Sequence, residues 1–189
     1  MSGKKFDPKK IHILNDPARI KDYPLDLIFK KIGTNELDIM ADIGAGTGFF
    51  AAHILEYLGR GKVFACDVSD IMVNWMRQNL CHRYKNIYPI KMQECEIPIK
   101  DNIVDLVYMI NLHHELDCPE KLLKECHRIL KQGKKLCIID WKKGYKSEGP
   151  PQHLRYDLRE VEEQMLGSGF KDISVSNDLE KHFMVIGEK

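Results

Sequence analysis

The amino-acid sequence predicts an α/β fold with a mostly parallel sheet, and three observations lead to this prediction. Short apolar runs alternate along the chain with amphipathic helical patterns. Near-continuous apolar runs are typical of strands that are buried on both faces of a parallel sheet. A glycine-rich turn joins the first run to a helical pattern, and only a short turn separates the last two runs. That close connection favours an antiparallel pair at the end of the chain.

Seven strands are predicted from these runs. They cover residues 38–43, 62–68, 87–92, 104–110, 135–140, 171–176 and 182–188. Ser69 is suited to cap the helix that follows the second strand, and Pro24 is suited to the first turn of an upstream helix. Apolar residues recur at helical spacing before the fifth strand, at Leu122, Leu123, Cys126, Ile129 and Leu130.

The composition is that of an ordinary globular protein, with 43% hydrophobic and 30% charged residues in a chain of 189. This length suits one domain with a single core. The 29 basic and 28 acidic side chains give a net charge of +1, so neither nucleic acid nor a membrane is expected as the main partner. No signal peptide or membrane-spanning segment is expected, which predicts a cytoplasmic protein.

The six cysteines are scattered, and none forms a C-x-x-C pair. That pattern argues against a zinc knuckle or a thioredoxin-type centre. Cys66, Cys126 and Cys137 lie in apolar patterns, so we expect them to be buried and reduced.

The segment "ADIGAGTGFF", residues 41–50, places three glycines between a strand and a helix. A glycine-rich turn there lets a ligand approach the backbone N–H groups that begin the helix. A loop for a nucleoside triphosphate needs Lys-Ser or Lys-Thr, and neither follows Gly48. A dinucleotide loop needs a third glycine where this chain has Phe49. The spacing that remains is D-x-G-x-G-x-G, starting at Asp42.

This spacing strongly resembles the first motif of class I S-adenosylmethionine-dependent methyltransferases, in particular the small methyltransferase type 11 or UbiE-like group. The second motif of that family is an acid at the end of the second strand, where Asp67 stands nineteen residues after Gly48. Two further family elements appear as "DNIVD" at residues 101–105 and "RILKQGKKL" at residues 128–136. The resemblance extends from about Pro17 to the end of the chain.

The resemblance implies a Rossmann-like, doubly wound sheet of seven strands, mostly parallel, with an antiparallel C-terminal strand and the order 3-2-1-4-5-7-6. It also implies one methyltransferase domain over residues 1–189. Within it, residues 1–36 form an N-terminal helical lid segment and residues 37–189 form the core. A simple packing helix is an equally good interpretation of the N-terminal segment.

The cofactor implied by the resemblance is S-adenosylmethionine, and the product is S-adenosylhomocysteine. The glycine loop faces the methionine part, and Asp42 orients that loop. Asp67 accepts hydrogen bonds from both ribose hydroxyls. Val68 and Met72 pack on the adenine, and Asn111 presents its carbonyl near the amino group of the cofactor. The full set of expected cofactor contacts is Asp42, Gly44, Ala45, Gly46, Gly48, Asp67, Val68, Met72, Gln93, Glu94 and Asn111.

The chain departs from the family pattern at two places. The family usually has an aspartate after the third strand to bind the adenine amino group, and this chain has Gln93 and Glu94 there. Either side chain can accept that hydrogen bond, so both stay open. The family's Pro-Gly-Gly is replaced by residues 132–134, which we place in the turn before the fifth strand.

The residues that bind the methyl acceptor are less sharply defined. His113 and His114 follow the fourth strand, where one of them could act as a general base or both could pack the loop. No metal site is expected, because neighbours on one stretch of chain cannot easily surround an ion. The loop after the fifth strand is placed to cover a substrate. With the N-terminal segment it supplies these candidate substrate contacts: Tyr23, Trp141, Tyr145, His153 and Arg155.

The function predicted from the sequence is methyl transfer to a small molecule by in-line displacement, for which alignment and exclusion of water matter most. The 49 residues that follow Asp140 are enough for one helix and the closing hairpin, so no large cap is expected, which disfavours a bulky macromolecular acceptor. A quinone-type acceptor is suggested by the group alone, and scattered cysteines disfavour arsenite. The alternative is a non-catalytic cofactor-binding protein or a pseudo-methyltransferase partner. We expect a monomer or a homodimer.

Overall fold

One sheet of seven strands organises the computed structural model, which describes residues 11–33, 36–145 and 147–189. Residues 1–10 and 34–35 of the expected lid segment therefore lie outside the described residues. The strand order β3-β2-β1-β4-β5-β7-β6 confirms the predicted order. The pairs β5–β7 and β6–β7 are antiparallel and the other pairs are parallel. The strands are β1 (Ile39–Ile43), β2 (Lys62–Asp67), β3 (Ile87–Lys91), β4 (Val104–Ile110), β5 (Leu130–Trp141), β6 (Lys171–Ser176) and β7 (His182–Glu188).

Helices cover both faces of this sheet. They are α1 (Ile11–Leu14), α2 (Leu25–Ile32), α3 (Phe49–Leu58), α4 (Asp70–Asn79), α5 (Pro119–Ile129) and α6 (Leu158–Gly167). The Ser69 hydroxyl accepts a hydrogen bond from the Met72 N–H, which confirms the predicted cap of α4. Short 3-10 helices occupy Pro17–Asp22, His113–Glu115 and Gln152–Leu154. Across the described ranges, none of the helices combines the length and the apolar character that crossing a bilayer requires.

The sheet separates two hydrophobic cores because successive side chains of a strand point to opposite faces. On β4, Leu106 and Tyr108 pack in the core that includes α2, α3 and α4, whereas Val107 and Met109 pack in the core of α5 and α6. We call these the α3 face and the α5 face of the sheet. The strand order switches sides between the parallel neighbours β1 and β4: β2 and β3 lie on one side of β1, and β4 and the later strands lie on the other. Ligands of doubly wound folds bind at this reversal, beyond the carboxyl ends of the strands.

The start of β5 differs from the prediction. Residues 132–134 were expected in a turn, but β5 begins at Leu130, directly after α5, and includes them. The pairing with β4 shifts there, since Val104 faces Leu130 whereas Leu106 faces Lys135. Gly133 has a positive φ of 73° at this irregularity. The predicted turn is therefore wrong, because a bulge accommodates the extra residues without ending the strand.

Candidate active site

The glycine loop leaves β1 with a backbone that side chains could hardly adopt. Gly44, Gly46 and Gly48 have φ angles of 74°, 56° and 72°, in the left-handed region that favours glycine. A Cβ atom at Gly44 would also lie 2.6 Å from the Cδ1 atom of Leu112. The N–H groups of Gly44 and Ala45 both donate to the Cys66 carbonyl, at 2.9 and 3.0 Å, which ties the loop to the end of β2.

Asp67, the last residue of β2, holds this loop in place. Its Oδ2 atom accepts from the Gly46 N–H at 2.8 Å, and its Oδ1 atom accepts from the Ser69 N–H at 2.8 Å. Burial raises the pKa of Asp67, and the hydrogen bonds from Ser69 and Gly46 oppose that increase. A carboxylate offers about four lone-pair sites. Each oxygen can therefore accept a further hydrogen bond from a ligand hydroxyl.

Asp42 lies beneath the loop and beside Tyr108, its partner on β4. Its carboxylate is buried, and among the described residues the Oδ2 atom has no hydrogen-bond partner. Burial, followed by repulsion from Asp67, raises the pKa of Asp42 to about 8. This end of β1 therefore carries a carboxyl group whose ionised form is poorly solvated by the protein.

The other expected adenine contacts lie around the end of β3. Val68 is exposed, whereas Met72 is buried in the first turn of α4. The Met92 N–H donates to the Asp67 carbonyl at 3.0 Å, which brings the chain after β3 beside Asp67. Gln93 and Glu94 follow with exposed side chains.

The N-terminal segment packs over the glycine loop. A Cβ atom at Gly46 would lie 3.3 Å from the Cδ1 atom of Leu14 in α1. The Arg19 guanidinium donates to the Leu14 carbonyl and lies 5.1 and 5.0 Å from the ring centroids of Phe49 and Phe50. Cation–π contacts of this kind are attractive. Residues 11–23 thus cover the start of α3 in the described structure.

Tyr23 joins this segment to the sheet through two polar side chains on the α3 face. Its hydroxyl lies 2.9 Å from the Nε2 atom of His182, and it accepts from the Nδ2 atom of Asn111 at 2.5 Å. His182 is completely buried, and its ring packs on those of Tyr23 and Trp141 at centroid distances of 4.7 and 4.4 Å. Burial lowers the pKa of His182 to about 4. We call Tyr23, Asn111 and His182 the Tyr23 cluster.

Sequence reasoning missed His182, although a signal was available. His182 is the first residue of the last predicted strand, and the predicted fifth strand ends at Asp140, one residue before Trp141. An antiparallel neighbour places the start of one strand opposite the end of the other. This rule brings His182 to the end of the fifth strand, and the observed register pairs it with Trp141.

His113 and His114 lie on the α5 face and are bound to internal partners. His113 is buried and donates from Nε2 to the Oε1 atom of Gln164 at 2.7 Å. His114 donates from Nδ1 to the Oδ1 atom of Asp140 at 2.8 Å, and its backbone N–H donates to Oδ2 at 3.0 Å. Although burial opposes it, the contact with Asp140 raises the pKa of His114. Burial by itself would raise the pKa of Asp140, but the contact with His114 outweighs it, and the pKa of Asp140 is lowered.

Arg155 organises the loop that follows β5. Its guanidinium donates to four loop carbonyls, those of Lys142, Tyr145, Glu148 and Pro150. The same group lies 5.4 Å from the Trp141 ring, and Tyr145 packs near that ring. His153 is exposed at the outer side of the loop.

Lys181, which precedes β7, ties this loop to the N-terminal segment. Its ammonium lies 2.9 Å from the Oδ2 atom of Asp22 and also pairs with Glu148. One lysine therefore contacts both segments that lie over the carboxyl ends of the strands.

The arrangement suits a ligand with hydroxyls at one end and a cation at the other. Asp67 offers lone pairs beside the glycine loop, where it is bonded to the Gly46 N–H. Asp42 and Asn111 each have a buried oxygen that lacks a hydrogen-bond partner among the described residues. A buried acceptor without a partner is costly, by about 1–3 kcal/mol, unless a ligand or water supplies the donor. The residues therefore leave acceptors for ligand hydroxyls at Asp67 and for a donor group, such as an ammonium group, at Asn111.

Comparison with known proteins gives a consistent assignment. Residues 41–138 match the family described as "Methyltransferase domain". A SAM-dependent methyltransferase from Aquifex aeolicus is 35% identical with a TM-score of 0.89, over 97% of this chain and 98% of that protein. Human N-acetylserotonin methyltransferase in complex with SAM has a TM-score of 0.77 over 96% of this chain and 55% of that one; at 14% identity the likeness concerns the fold alone.

Among curated relatives, the ubiquinone/menaquinone biosynthesis C-methyltransferase UbiE of Neisseria gonorrhoeae is 29% identical over 111 residues. The alignment spans 58% of this chain and 45% of that enzyme. The chain therefore matches less than half the length of this relative.

Proposed function

The chain belongs to the methyltransferase domain family, in its type 11 group, and from this premise we propose that it transfers a methyl group from S-adenosylmethionine to a small-molecule acceptor. The cofactor is S-adenosylmethionine, and the product is S-adenosylhomocysteine. The similarity to the Aquifex aeolicus SAM-dependent methyltransferase over nearly the whole chain supports this choice.

The observation that carries the proposal is the position of Asp67. Its carboxylate is bonded to the Gly46 N–H of the glycine loop and to the Ser69 N–H at the start of α4. A carboxylate fixed in this way accepts hydrogen bonds from two neighbouring ribose hydroxyls without first losing conformational freedom. We therefore assign Asp67 to the ribose.

The bound cofactor supplies an electrophilic methyl group on a sulfonium. The protein's own residues bind, orient and exclude water, and these effects supply much of the acceleration in such a displacement. Gly44, Ala45, Gly46 and Gly48 give the methionine part a close approach to the backbone. Met72 packs beside the adenine, with Val68 at its exposed side.

We assign the acceptor to the space between the N-terminal segment and the loop after β5. Trp141 and Tyr145 supply aromatic surface there, and Arg155 holds the loop that carries Tyr145. His113 and His114 act by positioning in this proposal, because His113 Nε2 binds Gln164 and His114 Nδ1 binds Asp140. A small-molecule acceptor, a cytoplasmic location and a monomeric or homodimeric state complete the proposal.

Titration calorimetry with S-adenosylmethionine and S-adenosylhomocysteine tests the donor site. We expect saturable binding by the wild-type protein and a loss of at least about 30-fold in Asp67→Ala, because two charge-assisted hydrogen bonds disappear. Asp70→Ala is the matched control, since Asp70 is an exposed neighbour that pairs with Lys91. NAD should not bind. Absence of binding of either adenosyl compound by the wild-type protein contradicts the proposed function.

Turnover separates an enzyme from a cofactor-binding protein. Incubation with methyl-tritiated S-adenosylmethionine and a panel of small hydroxyl, amine and ring-carbon acceptors should release labelled product with at least one acceptor class. Binding without transfer to any of these acceptors would favour the non-catalytic alternative.

A further inference from the structure

The Tyr23 cluster contains a chain of hydrogen bonds whose direction can be assigned. Asn111 donates from Nδ2 to the Tyr23 oxygen at 2.5 Å. The only hydroxyl proton of Tyr23 is then free to be donated to the Nε2 atom of His182, 2.9 Å away. Burial keeps His182 neutral by lowering its pKa to about 4, so Nε2 is available as an acceptor.

This direction leaves a defined atom of Asn111 for other partners. The Nδ2 atom is occupied by Tyr23, and the Oδ1 atom is buried without a hydrogen-bond partner in the described structure. If the direction were reversed, Tyr23 would donate to Oδ1 and the amide would offer N–H donors instead. Tyr23 and His182 thus decide whether Asn111 presents an acceptor or a donor.

Asn111 lies where a cationic group of a ligand is favoured. It follows β4 directly, with a positive φ of 59°, and the next residue, Leu112, packs against Gly44 of the glycine loop. Asp42, on the neighbouring strand β1, holds a second buried oxygen without a partner among the described residues. Asp42 pairs with Tyr108, three residues before Asn111, so its oxygen lies further back along the sheet. The Asn111 Oδ1 acceptor by itself suits an ammonium group, which has only donors.

We propose that Tyr23 and His182 are positioning residues that lock the Asn111 amide with its Oδ1 atom toward the ammonium group at the amino-acid end of the cofactor. The proposal rests on the proposed function for the identity of that ligand. It assigns to His182 a role in binding that does not require contact with the ligand. It also makes the N-terminal segment part of the cofactor site through one hydroxyl group.

Two ligands that differ in the ammonium group test this role. S-adenosylhomocysteine carries it, and 5′-methylthioadenosine lacks the amino-acid part. His182→Phe keeps an aromatic ring in the same place but removes the Nε2 acceptor. The Tyr23 hydroxyl is then expected to donate to Asn111 Oδ1, which turns the N–H groups of the amide toward the ligand. We expect binding of S-adenosylhomocysteine to weaken about ten-fold, the effect of one hydrogen bond to a charged group, and binding of 5′-methylthioadenosine to change less than about two-fold.

Three further variants distinguish the positioning of the Asn111 amide from a folding defect and from detachment of the N-terminal segment. Tyr23→Phe removes only the hydroxyl and should give the same selective loss, which keeps the test valid if His182→Phe does not fold. His182→Gln places an amide oxygen near the position of Nε2 and should restore most of the affinity. Asp22→Asn breaks the ion pair with Lys181, a second tie of the same segment, and should leave both affinities near those of the wild type.

The outcomes are distinct. Equal weakening of both ligands in His182→Phe and Tyr23→Phe, or no change in either, would overturn the positioning role. An Asp22→Asn variant that behaves like Tyr23→Phe would also overturn it, because release of the segment would then explain the loss. Failure of the wild-type protein to bind S-adenosylhomocysteine contradicts the proposed function itself, and so is distinguishable from failure of this inference.

Discussion

Two groups of buried polar residues lie at the carboxyl edge of the sheet, one on each face, and they are bonded differently. On the α5 face, the Asp140 carboxylate accepts from the ring and the backbone of His114 and from the Trp141 N–H. On the α3 face, Asp42 and Asn111 keep oxygens without partners among the described residues. Buried polar groups are normally paired. The Nδ1 atom of His113, on the α5 face, also lacks a partner among the described residues, so the contrast concerns the two carboxylates, of which only that of Asp140 is fully paired. We infer that the Asp140–His114 pair contributes mainly to stability and that Asp42 belongs to the proposed ligand site.

Removing the ring of His114 is the strongest test of the α5 face. In His114→Ala the Asp140 carboxylate stays buried and loses one partner, so we expect the free energy of unfolding to fall by about 3 kcal/mol. Urea unfolding measures this. His153→Ala, at an exposed histidine, should change it by less than about 0.5 kcal/mol. Equal effects of the two substitutions would remove the distinction between the faces.

The pH dependence of stability tests the α3 face. The pKa of Asp42 is raised to about 8 in the folded protein, above its unfolded value of 3.8. The folded state therefore binds the Asp42 proton more tightly than the unfolded state does. The stability that this proton contributes is fully present below about pH 4 and is lost as the pH rises toward 8. Relative to Asp42→Asn, the wild-type protein should lose about 1 kcal/mol per pH unit in this window. Parallel pH profiles of the two proteins would contradict the assignment.

A glycine substitution tests the boundary between the faces, where Leu112 packs on Gly44. Gly44→Ala combines a positive φ with a close contact to Leu112, whereas Gly59→Ala has a similar φ of 65° and open space around it. Both should cost about 1 kcal/mol in backbone strain. Only Gly44→Ala should in addition weaken S-adenosylhomocysteine binding, measured by calorimetry. Equal binding by both variants would show that the loop tolerates a side chain.

The smallest expected effect concerns the far end of the α3 face, at β3. The Met92 N–H donates to the Asp67 carbonyl. Gln93 follows Met92 directly, whereas Glu94 is one residue further from this contact. We therefore expect Gln93→Ala to weaken 5′-methylthioadenosine binding about five-fold, as for one neutral hydrogen bond, and Glu94→Ala to weaken it less. The reverse ranking in a calorimetric titration would assign the adenine contact to Glu94.

The parts that could be predicted from the sequence are those that local chemistry determines. The spacing of the glycines and the position of Asp67 identified the family and the strand order, both of which are confirmed. Ser69 was predictable as a cap because capping involves residues three positions apart.

Long-range contacts were harder to predict. Tyr23 and His182 are 159 positions apart, and only the pairing of β5 with β7 brings His182 to Trp141 and hence to Tyr23. The bulge at Gly133 was missed because a glycine between polar residues has the same local pattern in a turn and in an irregular strand.

Arg155 has a consequence for the entropy of acceptor binding. Its guanidinium donates to four carbonyls of the loop after β5, so the protein itself supplies hydrogen bonds that fix these residues. Fixing one backbone residue costs about 1–2 kcal/mol in conformational entropy. Because folding already bears this cost for the loop, an acceptor that binds beside Trp141 meets a preorganised wall, and more of its interaction free energy remains available for alignment with the methyl group.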